Sequence, residues 1–126
     1  MEEVELQKVV DAWIATAIPE PGTPEWEDNW LAASEVTEWK FTGESDLLWR
    51  FVVAACGREL SDQVRAILAA GPLEDLLSAF GSDYIERVEE LAAKDARFNL
   101  LLGGVWRSDM ADDVWARVQS VRHEVW

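Results

Sequence analysis

A single cysteine and a single histidine are all the thiol and imidazole chemistry this chain of 126 residues carries. With Cys56 alone, no internal disulfide forms and no zinc cluster is assembled from thiolates. His123 lies three residues from the end, where a general base or a metal ligand would not be held rigidly against its partners. Basic residues are also scarce, eleven against twenty-five acids. No basic stripe exists to meet phosphates, which argues against direct binding to DNA, RNA or an anionic membrane. The longest wholly apolar run, Phe51–Cys56, is too short to span a bilayer. The opening MEEVELQKVV is acidic and amphipathic, whereas a secretion signal is basic and then apolar. A cytoplasmic protein is expected.

Other signatures of chemistry are missing too. Gly103-Gly104 is an isolated pair followed by tryptophan, not a phosphate-cradling loop. Asp109, Asp112 and Asp113 lack the glycine and distal glutamate of a calcium loop and read as a cap with first-turn acids. Glu74-Asp75 after Pro72 has the same helix-start explanation. Cys56 ends the most apolar segment, a setting that favours a buried, inert thiol. No catalytic residue, metal or cofactor is therefore expected, and the reading is non-enzymatic.

What the chain does have is acid and tryptophan. The net charge is −14, and it is uneven: residues 1–46 hold twelve acids and only Lys8 and Lys40 as bases. Eight tryptophans occur in this short chain, each able to bury on the order of 200 Å². A hydrophobic fraction of 49% is ample for one folded core.

Apolar residues recur at intervals of three and four nearly throughout, which predicts an all-α fold. Leu6, Val9, Val10, Trp13, Ile14 and Ala17 form one helical face, ended by Pro19, Pro21 and Gly22. Thr23 with Pro24, Glu25 and Glu27 marks the start of a second helix, running to about Trp39. Ser45 is expected to cap a third, whose run Leu47–Cys56 leaves little polar face and should be central. Ser61 opens a fourth helix, Gly71-Pro72 separates it from a fifth, and Gly81-Ser82 separates that from a sixth. A short helix around Phe98–Leu102 follows, and Asp109 caps a last one carrying Met110, Val114, Val118 and Val121. The expectation is a single domain over residues 1–126, of seven or eight short helices stacked as antiparallel pairs.

Three segments in the second half, GPLEDLL (71–77), LLGGVW (101–106) and DDVWARVQ (112–119), resemble a family of short uncharacterised bacterial proteins, a domain of unknown function. The resemblance covers roughly residues 60–121. It implies a bacterial or phage origin and an α fold, and brings no known activity with it.

The strongest functional signal is the segment PEWEDNWLAASEVTEWK, where Trp26, Trp30 and Trp39 stand among Glu25, Glu27, Asp28, Glu35 and Glu38. Aromatic anchors ringed by charge suit a binding surface. The same spacing is met by rings folded against the first helix with the acids outward. Trp13, Trp49 and Trp106 fall on apolar stripes and are expected in the core. The favoured function is a protein-binding inhibitor whose acids occupy a basic surface of a nucleic-acid-handling partner, as phage anti-defence (anti-CRISPR) and toxin-immunity proteins do. The alternatives are a scaffold subunit acting by self-association, and a carboxylate- or metal-dependent enzyme. The enzyme would need a cleft with a raised carboxyl pKa.

Overall fold

The computed structural model describes residues 1–126. Its elements are α1 (Glu3–Ala17), α2 (Pro24–Thr42), α3 (Ser45–Cys56), α4 (Asp62–Leu68), a π-helical turn (Ala69–Leu73), α5 (Glu74–Lys94), α6 (Ala96–Leu102) and α7 (Asp112–Val121). The all-α expectation holds, and no strand is present.

Helix boundaries follow local chemistry where a side chain can reach the exposed backbone. Thr23 Oγ1 accepts from Trp26 N–H at the start of α2, with Pro24 at the first helical position. Gly43 ends α2 at φ 76°, the left-handed conformation that costs glycine least. Ser61 caps α4 by accepting from Val64 N–H at 3.2 Å. Asp95 caps α6 by accepting from both Arg97 N–H and Phe98 N–H.

The expected helix count needs correction. α4, the π turn and α5 follow one another with no intervening loop from Asp62 to Lys94, kinked at Phe80, so the chain makes six helical stretches. Pro72 has no N–H to donate and its ring would strike the carbonyl one turn back. The backbone widens into the π turn at that point and the helix continues. The expected interruption at Gly81-Ser82 is present to within one residue, as a kink between two helical segments of α5. The bend falls at Phe80 (φ −132°, ψ 18°), and Gly81 is buried where α7 crosses. α7 itself starts at Asp112, with Ala111 at the cap position and no side-chain bond there, so Asp109 is not its cap. Met110 is nonetheless buried, from the loop before the helix. Ser45 does not cap α3 either: it is the first helical residue, Glu44 holds the cap position without a side-chain bond, and Ser45 Oγ instead accepts from the Tyr84 hydroxyl at 3.1 Å.

α3 is the central element, packed against α1, α2, α4, the π turn, α5 and α6. Leu48, Phe51, Val52 and Ala55 on it are fully enclosed. Withdrawing a side chain the size of Leu or Phe from water contributes about 1.5–3 kcal/mol. Trp13 and Trp39 meet the Phe51 ring edge-on at 5.5 and 6.1 Å. Trp49 packs on Phe98 and Tyr84. The Ile18–Thr23 connection folds α2 back along α1, bringing Trp13 and Thr16 beside Trp26 and Trp30. Stacked pairing does not extend through the chain. Beyond this hairpin and the α5–α7 contact, the helices gather around α3.

Candidate functional site

α2 turns three residues inward, Ala33, Val36 and Trp39, at intervals of three. With 3.6 residues per turn, the opposite side must carry Glu27, Leu31, Glu35 and Glu38. All four are exposed, Leu31 at 71%. Glu25 and Asp28 are exposed as well, near the helix start. There Glu25 and Glu27 also face the unpaired N–H groups of the first turn, a favourable setting for negative charge.

None of Glu25, Glu27, Asp28, Glu35 and Glu38 has a basic partner within its own chain. Of the twelve acids before Leu47, only Glu3, Asp11 and Asp46 meet an arginine, namely Arg50, Arg58 and Arg87. Lys40, the one base on α2, spans to Asp75 on α5 at 3.1 Å. The solvent face of α2 is thus a ridge of uncompensated carboxylates.

Beside the ridge lie two of the three tryptophans expected at the site. The Trp26 and Trp30 rings are parallel, 6° apart in plane with centroids 5.7 Å apart. Trp26 is half-buried and Trp30 is 39% exposed. Together with Trp13 and Thr16 of α1 and Ala33 and Thr37 of α2, they line an open groove of about 200 Å³. Trp39 does not belong to this surface. It is 5% exposed and lies against Phe51, because position 39 follows Ala33 and Val36 on the inward stripe. Trp106 departs from expectation in the other direction and is 67% exposed. Its backbone N–H donates to Glu74 Oε2 while the ring faces solvent. Leu31 and Trp13 were not singled out for this surface, although the spacing of Leu31 from Glu27 and Glu35, four residues each way, already places it on the ridge.

The groups with reactive potential lie elsewhere. Cys56 is buried at the floor of a cavity of about 180 Å³ that Arg58, Arg65 and Arg97 overlook. Burial, and then the Asp95 carboxylate, push its thiol up to about 11 against the pull of Arg97 and Arg65. At neutral pH it is therefore a thiol and a poor nucleophile. Burial raises the Glu74 carboxyl, helped by Asp75 and opposed by the Trp106 N–H. The acceptance of that N–H gives Glu74 a structural explanation. His123 is exposed, its backbone N–H bonded to Asn99 Oδ1. No three carboxylate, imidazole or thiolate groups converge to hold a metal ion, and no helix is long and apolar enough to cross a membrane.

No curated protein and no solved structure is similar to the chain at a significant level. A family model matches residues 20–125, which takes in every helix but α1. The chain belongs to that family, described as a family of unknown function (DUF6869).

Proposed function

We propose that this protein acts by binding, in the cytoplasm, and that the ridge of α2 is the surface that meets its partner. The observation that carries the reading is five carboxylates, Glu25, Glu27, Asp28, Glu35 and Glu38, left without a base in their own chain beside a stacked tryptophan pair. Uncompensated charge in one place attracts its opposite over a long range and speeds encounter. Indole rings at the same place supply apolar contact that slows release. The partner this favours is a basic protein surface that ordinarily handles nucleic acid, the acids standing where phosphates would lie. An inhibitor of the anti-defence or toxin-immunity type fits that arrangement.

The test compares wild type with a variant in which all five acids become lysine, and with a second in which they become glutamine or asparagine. A cognate partner should be retained by wild type at low salt, released as salt rises, and lost by both variants while their helical spectra are unchanged. Retention by the lysine variant would contradict the reading.

Self-association is a second reading, favoured by the exposure of Leu31 (71%) and Phe41 (73%) on the same helix. A monomeric mass unchanged across a hundredfold range of concentration would dismiss it.

A further inference from the structure

Resting on the reading of α2 as the contact surface, we infer that the groove between α1 and α2 is a seat for an arginine side chain of the partner. Three indoles meet there, Trp13 from α1 and Trp26 and Trp30 from α2. Trp26 and Trp30 are stacked in parallel, so each covers part of one face of the other and leaves its opposite face free of that neighbour. The face of an indole is electron-rich and attracts a cation laid over it. The groove holds no charged side chain of its own: Thr16, Ala33, Ser34 and Thr37 complete its lining. Carboxylates adjoin it instead. Glu27 follows Trp26, Glu38 follows Thr37, and the 100° step of the helix sets both toward solvent from Trp30.

This combination selects among basic residues. A lysine ammonium is compact and strongly hydrated, and it is served as well by an exposed carboxylate as by a ring. A guanidinium is flat and weakly hydrated, so it can lie on an indole face while its edge donates to a carboxylate. A volume of about 200 Å³ leaves room for one such group and not for a folded segment. The tryptophans therefore carry discrimination and the acids carry attraction.

Hexa-arginine and hexa-lysine peptides separate the two contributions. Titrated into the protein at low salt and followed by tryptophan fluorescence and calorimetry, hexa-arginine should bind about two- to fivefold more tightly. Trp30→Ala should bring the two peptides to equal affinity, and Trp30→Phe should restore part of the preference. Equal binding by wild type, or a preference that survives Trp30→Ala with an unchanged helical spectrum, would overturn the arginine seat and leave the acidic surface standing. Failure of both peptides to bind wild type at low salt would overturn the seat and the reading beneath it.

Discussion

Trp126 rests on the bare backbone of Gly103. Its main-chain N–H donates to Gly103 O at 2.9 Å, and its indole N–H donates to Leu100 O at 2.7 Å. A Cβ added at Gly103 would stand 2.6 Å from Trp126 Cδ1, and one at Gly104 would stand 2.5 Å from Trp126 Cη2. The glycine pair after α6 is thus a platform for the last residue of the chain, which folds back across it.

The two glycines should respond differently to alanine. At Gly104 the three atoms nearest the added carbon all belong to the Trp126 ring, so Gly104→Ala should cost about 1–3 kcal/mol, and most of that cost should vanish when Trp126→Ala is also present. At Gly103 the added carbon also meets the backbone oxygen of Glu124 at 2.5 Å. Gly103→Ala should therefore remain destabilising after Trp126→Ala. Urea unfolding of the four variants measures this, and equal relief at both positions would contradict the geometry.

Gly81 in α5 sets a similar condition for α7. A Cβ there would lie 2.9 Å from Cγ1 of the buried, branched Val114. Alanine is preferred to glycine inside a helix by about 1 kcal/mol, but overpacking costs about 1–3 kcal/mol. Gly81→Ala should accordingly destabilise the wild type and stabilise a Val114→Ala background. That reversal of sign in thermal unfolding is the readout.

These glycines show what the sequence could convey. Helix starts that depend on one side chain, at Thr23 and Ser61, were readable because the cap and the helix are neighbours in the chain. The central place of α3 was readable from its lack of a polar face. The passage through Gly71-Pro72 was not, because that pair has the composition of a break while a π turn carries the helix past it; Gly81 does lie at the Phe80 kink, and its lack of a side chain also admits Val114 of α7. At the candidate site the five acids are exposed, as charged residues off the apolar stripe of a surface helix must be. The burial of Trp39 was legible from its place on the Ala33–Val36 stripe, whereas the exposure of Trp106 was not, its backbone being held at Glu74 with its ring left in water.

Asn99 is the only buried polar or charged side chain. Its amide donates to Ala92 O at 3.2 Å and Val121 O at 3.0 Å, and its oxygen accepts from His123 N–H at 2.9 Å. One side chain thus ties the end of α5, the end of α7 and the terminal segment together. Asn99→Leu is similar in size but leaves the buried Ala92 O and the part-buried Val121 O and His123 N–H without this partner, and an unsatisfied group costs about 1–3 kcal/mol when buried and less where water reaches it. The substitution should lower stability by about 2 kcal/mol, and speed amide exchange at His123. Wild-type exchange there would contradict a bridging role.

Cys56 offers a pH dependence with a definite sign. Its folded thiol is pushed up to about 11, above the ordinary value of 9.0. The unfolded chain therefore loses this proton first as pH rises. The stability associated with it is fully present below pH 9, declines between about 9 and 11, and is lost above, on the order of 2 kcal/mol in all. The quantity to measure is the difference between wild type and Cys56→Ala. That difference should shrink in favour of the variant as pH goes from 8 to 11. The native thiol should also react slowly with an aromatic disulfide reagent at pH 8 and rapidly once urea opens the fold. Prompt labelling of the native protein at pH 8 would place the thiol in solvent and remove the cause of its raised pKa.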